Sequence, residues 1–378
     1  MLRIGVIFLR HLNPEIIVGG REALTLWLIQ ALQSRHQVTL LHLDEKIDFD
    51  ELNKVYGTKL IAEKIKLLRI PKNFPLPPKF WLLKQSLLFK KVKPRVSNFD
   101  VVISAQGEID AGRPVVQYIH DPASSLFFIG KKPHFIKDIY RDFCKFIYKR
   151  SLESMKKNLT LTNSFYTAKL IKSIYGVSAR VVYPPVPPVF IGNIPWKERE
   201  NGFILISRIS PEKNIEKVIE IIKKVREYYR DFHLHILGPF QDRDYGKYIW
   251  DIINKNKEWI FYEGVLPRNQ YFSLISKHKY GIHGKPDEHF GIGIAEMVKA
   301  GLIVFVPSEG GQVEIVGNEY LIYSSKEEAI SKILKVIQNA FLQKALRNEL
   351  KNNARKFSVE NFSQEIVKIV EDFANSRK

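Results

Sequence analysis

Short apolar, β-branched runs alternate with helical stretches along the whole chain, and the alternation happens twice. In the first half the runs are LRIGVIFL from Leu2, VTLLHL from Val38, VVIS from Val101, VVQYI from Val115 and LTLT from Leu159. Their near-continuous apolar character predicts strands of a parallel sheet covered on both faces. Between the first two, GREALTLWLIQALQSR places Ala23, Leu24, Trp27, Leu28, Ala31 and Leu32 on one helical stripe. The pattern restarts at FILIS from Phe203, followed by a helix with Ile215, Val218, Ile219, Ile222 and Val225 on one face. It continues through HLHIL from His233, WIFY from Trp259, YGIH from Tyr280 and LIVFV from Leu302. Two rounds of strand–helix alternation predict an α/β protein of two Rossmann-like, doubly wound domains. Five prolines between Val182 and Asn201 continue neither strand nor helix and mark a stiff linker. The domains expected on this basis are residues 1–190 and 195–358, with an amphipathic last helix near Val359–Phe373.

Composition narrows the class. Hydrophobic residues at 45% and charged residues at 26% fit a globular protein with a large core. The lone Cys144 excludes an intrachain disulfide and argues against a cysteine-built zinc site. No run approaches the length of a membrane span, and MLRIGVIFLRHL reads as a first buried strand, not as a signal peptide. A reducing, cytoplasmic setting is the expectation. The net charge of +19 is concentrated: residues 51–200 hold 27 basic and 11 acidic residues. Such an excess attracts an anionic partner, whether nucleic acid, membrane or phosphorylated substrate.

In open α/β sheets ligands bind beyond the carboxyl ends of the strands, so chemistry is sought in the loops after strands. KPDEHFGIGIAEMVKAG follows YGIH and places Glu288 on a loop and Glu296 in the first turns of a helix, with Gly291 and Gly293 between. Backbone N–H groups there can approach an anion, or the segment is a loose turn with two solvated glutamates. In ISRISPEKN, Arg208 follows a strand and Lys213 lies near a helix start behind Ser210-Pro211. The two cations can grip a diphosphate or merely flank a cap. Gly19-Gly20 sits between the first strand and first helix without making a GxGxxG fingerprint. His120, before Asp121-Pro122, stands at a strand exit and is either a satisfied core residue or a polar group at the ligand cleft. The pairs Asp48/Asp50 and Asp242/Asp244 are the only Asp-x-Asp candidates for a hard cation, away from the relevant strands. Clustered His or Cys metal spacing is absent, so no metal is expected.

The ordered set of these elements resembles glycosyltransferase family 4, retaining nucleotide-sugar transferases of the GT-B fold. The resemblance covers nearly the whole chain: Gly19-Gly20, His120, TNSFYTAKLIKSIYG (Thr162–Gly176), VVYPPV (Val181–Val186), SRISPEKN (Ser207–Asn214), LGP (Leu237–Pro239), FYEGVLP (Phe261–Pro267), EHFGIGIAE (Glu288–Glu296) and SEGGQVEIV (Ser308–Val316). It implies two domains facing across a cleft. The first binds acceptor, the second binds the nucleotide sugar, and a final helix of about 359–378 packs back on the first. It also implies Arg208 and Lys213 on the donor diphosphate, Glu296 on the ribose and Glu288 close to the transferred sugar. His120 would stand beside that sugar as a second catalytic residue. The backbone of Phe290, Gly291 and Ile292 would touch sugar and phosphate, that near Val265 the base, and the Gly20 loop the donor phosphate.

Within the family, NPEIIVGGREALTLW and YIHDP look most like the α-1,2-mannosyltransferases of lipid-linked oligosaccharide assembly. The reaction this implies is transfer of a hexose, mannose by that likeness, from a GDP- or UDP-linked donor to a lipid-linked saccharide or polyprenyl-phosphate acceptor. Retention would proceed by a covalent intermediate or same-face attack. The cations and helix terminus would stabilise the departing diphosphate in place of a metal, past an oxocarbenium-like state. Phe74–Arg95 interleaves aromatic and leucine side chains with six Lys or Arg. It reads as a membrane-surface element of a peripheral enzyme, or as a packed helix with a basic outer face. A soluble GT-B enzyme acting on a small sugar or glucan, and a nucleotide-sugar epimerase, are the alternatives; a nucleic-acid binder would leave the ordered motifs unexplained.

Overall fold

A computed structural model describes residues 1–12, 19–71, 76–77, 80–122, 135–148, 151–187 and 194–377. Residues 74–75 and 78–79 of the basic segment, and 188–193 of the proline-rich linker, lie outside the described residues, as do 13–18 ahead of Gly19. The chain divides into two compact units, Met1–Pro185 together with Val359–Lys378, and Val186–Ser358.

The first unit contains, in order, β1 (Arg3–Ile7), α1 (Gly20–Gln33), β2 (Gln37–His42), α2 (Phe49–Tyr56), β3 (Ile65–Arg69), α3 (Trp81–Val92), β4 (Val101–Ser104), β5 (Val116–Ile119), α4 (Phe135–Tyr148), α5 (Leu152–Lys156), β6 (Leu159–Thr162), α6 (Phe165–Tyr175) and β7 (Arg180–Val181). The second contains β8 (Glu200–Ile206), α7 (Ile215–Arg226), β9 (His233–Leu237), α8 (Arg243–Lys255), β10 (Ile260–Gly264), α9 (Arg268–Lys277), β11 (His278–Ile282), α10 (Ile292–Lys299), β12 (Ile303–Pro307), α11 (Gln312–Val316), β13 (Ile322–Tyr323), α12 (Lys326–Gln338) and α13 (Ala340–Asn353). The last helix, α14 (Val359–Asn375), returns to the first unit.

Both sheets are parallel and doubly wound: β3-β2-β1-β4-β5-β6-β7 in the first unit, β10-β9-β8-β11-β12-β13 in the second. Period-two alternation explains why these strands are apolar throughout. Ile4 and Val6, Val38 and Leu40, and Val101 and Ile103 face a core closed by α1 and by Phe362, Ile366 and Val370 of α14. Ile7, Leu41 and Val102 face the opposite core, closed by Leu88, Phe89 and Val92 of α3. In the second unit Phe203 stacks on Tyr280 at 5.3 Å, with Phe232 and Phe305 around them.

The structure adds three strands to those expected. β3, β7 and β13 all lie toward sheet edges. β3, with the sequence IKLLR, exposes most of its residues, so it lacks the apolar run of a doubly covered strand. The basic segment is split in role. The α3 residues Leu88, Phe89 and Val92 are core, whereas Trp81 is 53% exposed. Lys93 lies 3.2 Å from the buried Asp110 carboxylate and Lys91 donates to Pro71 O, so these cations are engaged by the protein itself.

Candidate functional site

The carboxyl edge of the second sheet gathers most of the residues singled out above. Beyond β8, Ser210-Pro211-Glu212-Lys213 forms its own short 3-10 turn, not the first turn of a long helix. α7 starts only after Asn214, which takes a left-handed conformation (φ 48°). The Ser210 hydroxyl, expected to cap, donates to Glu212 at 2.7 Å instead. This turn packs against the exit of β11: a Cβ on Gly284 would lie 2.7 Å from the Lys213 carbonyl oxygen, so only glycine permits the approach. The result is a pairing over a long stretch of chain. The Lys213 ammonium donates to Glu288 Oε2 at 2.6 Å, with the two side chains only 10% and 19% exposed.

Glu288 is held from three sides. His283, buried at the end of β11, lies with Nε2 3.4 Å from the same carboxylate oxygen. Gly311 N–H donates to the Glu288 carbonyl at 2.7 Å, and Glu288 forms a bridge with Gly310. Burial works to raise the Glu288 carboxyl, but the His283 hydrogen bond and the charges of Lys213 and Lys285 outweigh it and hold it well below the usual carboxylate range. Burial pushes His283 down, against the pull of Glu288. The centre is therefore a carboxylate, an ammonium and a neutral imidazole. The ammonium keeps two further N–H donors for an incoming anion.

Beside it, α10 begins at Ile292 with Gly291 (φ 100°) as its N-cap residue, so its first backbone N–H groups are available to a ligand. The Phe290 ring is buried against Phe357 at 5.4 Å, which leaves that residue only its backbone for binding. Glu296 lies in the second turn of α10, where Tyr271 O–H donates to it at 2.6 Å and Arg268 approaches to 3.8 Å. Burial raises the Glu296 carboxyl, with Arg268 and Tyr271 opposing. Arg208 is half exposed on the loop after β8, 4.0 Å from Glu212, and Val265 is 61% exposed on the turn after β10.

His120 and Gly20 belong to the first unit. His120 leaves β5 with Nε2 3.0 Å from the Ala105 carbonyl, its ring 4.9 Å from that of Tyr118. Asn163 anchors its backbone by donating to the His120 carbonyl at 3.1 Å. Gly20 is the exposed first residue of α1. In each Asp-x-Asp pair the first aspartate caps a helix and the second lies in its first turn. Asp48 accepts from Glu51 N at the start of α2, and Asp242 from Asp244 N and Tyr245 N at the start of α8.

Sequence reasoning missed His283, Tyr271 and Arg268. His283 closes YGIH at the same strand exit that gave Glu288 its place, which was a usable signal; nothing local marks Tyr271 or Arg268. It also missed a cluster at the opposite, amino edge of this sheet: His233, His235 and His278 each offer a ring nitrogen, all within 4.8 Å of one another. The expectation of no clustered histidines fails because parallel pairing, not sequence spacing, brings β9 and β11 to either side of β8.

Residues 190–357 match the family model described as glycosyl transferases group 1. Among curated proteins, the chain is 22% identical to the GDP-Man:Man(3)GlcNAc(2)-PP-Dol alpha-1,2-mannosyltransferase of Dictyostelium discoideum, over 96% of this chain and 84% of that one. It is 26% identical to the Homo sapiens protein of the same name over 65% of this chain, and spans about half (54%) of that relative's length. Among solved structures, sucrose-phosphate synthase from Thermosynechococcus elongatus superposes with a TM-score of 0.73 at 12% identity, over 100% of both chains. Anabaena Alr3699/HepE in complex with UDP and glucose gives 0.69 at 15%, over 98% of this chain and 100% of that one.

Two Rossmann-like units of this topology, the second carrying the group 1 domain, make the chain a glycosyltransferase of the GT-B fold. It is a hexosyltransferase that resembles the family 4 enzymes, the α-1,2-mannosyltransferases among them.

Proposed function

We propose that the chain transfers a mannosyl residue from GDP-mannose, with retention, to a lipid-linked saccharide acceptor. The observation that carries the reading is the Lys213–Glu288–His283 centre beside the N-terminus of α10. As the bond between sugar C1 and the diphosphate oxygen breaks, negative charge collects on the leaving nucleoside diphosphate. Lys213, Arg208 and the first N–H groups of α10 are fixed donors for that charge, in place before reaction. Glu288, kept ionised by its neighbours, lies where positive charge at the sugar ring would be favoured. Glu296 takes the donor ribose, oriented by Tyr271. His120 contacts the transferred sugar and Gly20 the donor phosphate. No metal step is invoked in this reading; Asp48 and Asp242 each cap a helix. The donor base, the sugar and the lipid acceptor rest on the likeness to the mannosyltransferase relatives.

A membrane contact suits such an acceptor, and exposed apolar side chains on a neighbouring helix support it. On α4, Ile139, Phe143 and Phe146 are 56%, 51% and 76% exposed at helical spacing, and Trp81 is exposed on α3, which packs against α4 through Phe80 and Tyr140. We place a peripheral contact there, supported by the basic excess of residues 51–200. Among the described residues no helix is long and apolar enough to cross a membrane.

The test is a thermal-shift panel of nucleotide sugars, then turnover with a polyprenyl-diphosphate oligosaccharide. Stabilisation by GDP-mannose and an extended lipid product are expected. Turnover of UDP-glucose onto a sugar phosphate alone would replace this reading with that of a soluble enzyme, and donor conversion without acceptor would make it an epimerase.

A further inference from the structure

The amino edge of the second sheet carries a polar assembly that the transfer reaction does not use. His233 and His235 alternate on β9, so both rings rise from one face. On β8, Gly202 pairs with His233 in register, while His278 opens β11 opposite Glu200. A Cβ on Gly202 would lie 2.3 Å from His233 Nε2 and 2.7 Å from His278 Cδ2, so the missing side chain makes the hollow in which the two rings meet.

The hydrogen bonds around the rings fix which nitrogens face inward. His278 Nδ1 lies 2.7 Å from the Leu274 carbonyl, which can only accept, so the neutral ring carries its lone pair on Nε2. His235 Nδ1 lies 2.7 Å from the Glu263 carboxylate, the second partner that commonly orients a metal-binding imidazole. His278 Nε2 faces His233 Nε2 at 2.9 Å, and two lone pairs do not face each other unless a proton or a cation lies between them. The Glu200 carboxylate lies 3.4 Å from His233 Nε2 and 3.7 Å from His278 Nε2. A tetrahedral site with bonds of ~2.0–2.1 Å sets its ligand atoms roughly 3.3 Å apart, so the 2.9 Å His233–His278 pair must open slightly and the nitrogens that stand up to 4.8 Å apart must close on the ion.

We propose that His233, His235 and His278, with the Glu200 carboxylate, form a tetrahedral zinc site that ties together β8, β9 and β11. Three imidazoles and one carboxylate are a borderline-soft donor set that suits Zn²⁺ rather than Mg²⁺ or Ca²⁺. The charges of Glu200 and Glu263 balance the ion. Glu200 is half exposed and borders an open pocket of about 460 Å³ with Asp231, Glu258, Arg226 and Arg230, which provides an entry route. Arg226 lines the same pocket, where its guanidinium stacks over the Trp259 ring at 5.1 Å and donates to the Phe232 carbonyl. The site lies at the sheet edge opposite Lys213 and Glu288, so its role is to hold strands together, not to act on substrate.

The experiment is optical titration of the chelator-dialysed full chain with Co²⁺, followed by displacement with Zn²⁺ and thermal melting. The expected result is one Co²⁺ per chain with the intense visible bands of tetrahedral coordination, abolished by Zn²⁺. Zinc should raise the melting temperature of the second unit, Val186–Ser358, by about 5–10 °C at a hundredfold excess over Kd. His233→Ala and His235→Ala should lose the spectrum and the shift. Should either variant fail to fold, Glu263→Gln decides: it leaves every ligand in place and is expected to weaken binding ~10–100-fold. A chain that takes up no Co²⁺, binds it octahedrally, or binds it as tightly after Glu263→Gln and Glu200→Gln would overturn the site. The protonated pair, with one hydrogen between His233 and His278, would then be its whole chemistry.

Discussion

Replacing Lys213 by Met separates the reading of the catalytic centre from a merely structural one. Methionine keeps the length and apolar stem and removes the charge and its donors. In the wild type the ammonium donates to Glu288 at 2.6 Å, both side chains being largely buried. Removing one member of such a pair typically costs about 3–5 kcal/mol, because the other is left charged and uncompensated. Glu288 keeps His283 and Lys285 as partners and can take up a proton, so the expected loss is about 2–3 kcal/mol. The pH dependence has a definite sign. A carboxylate whose folded pKa is depressed contributes stability above its unfolded value, about 4.3, and loses it as pH falls through the folded one. The gap between wild type and Lys213→Met should therefore be constant from about pH 6 to 8 and narrow below about pH 4.3. Turnover should fall further than stability explains: loss of one fixed donor to a developing anion costs roughly 10²–10³ in kcat. Urea melts across pH, with steady-state rates at neutral pH well below the unfolding midpoint, give both numbers. Near wild-type kcat in a folded Lys213→Met chain would refute the role in transfer. A stability gap that widens toward acid would refute the electrostatic account of the pair.

Other outcomes follow from the same centre. Glu288→Gln should cut kcat more than donor affinity, since it keeps the shape and removes the charge, and the kcat-against-KM split checks it. Glu296→Ala should raise the donor KM. Because burial raises this carboxyl, donor affinity in the wild type should weaken on acidification sooner than an ordinary glutamate would predict, as read by titration of KM with pH. Turnover should survive EDTA at temperatures well below melting; complete loss rescued by Mg²⁺ would release Asp48 or Asp242 from their capping roles. Sedimentation with anionic vesicles should weaken in salt and when Ile139, Phe143 and Phe146 become Ser, while Lys93→Glu should mainly destabilise the fold through Asp110.

The central strands were legible because they are covered on both faces, which forces apolar residues at every position, as in Ile4, Val6 and Ile7. β3 was not, because an edge strand with one wet face can carry Lys66 and Arg69. The loops that hold the candidate site were legible as strand exits followed by glycine and charge. Their internal pairing was not: Lys213 and Glu288 are 75 residues apart, and the pairing of β8 with β11 and the packing of Gly284 against the Lys213 turn bring them together. The histidine cluster was illegible for the same reason. His233 and His278 are 45 residues apart, and the register of β9, β8 and β11 alone makes them neighbours. The basic segment was legible only as two alternatives, because its composition does not distinguish the face of α3 that enters the core from the one that stays wet.

The central claim is that the chain moves a sugar from a nucleotide donor with its anomeric configuration kept. It is tested most directly by proton NMR of the product formed from GDP-mannose and a short polyprenyl-diphosphate oligosaccharide. A single α-linked mannose is expected, formed only with the acceptor present and roughly 10²–10³-fold more slowly with Lys213→Met. A β-linked product, or an altered donor sugar in the absence of acceptor, would contradict it.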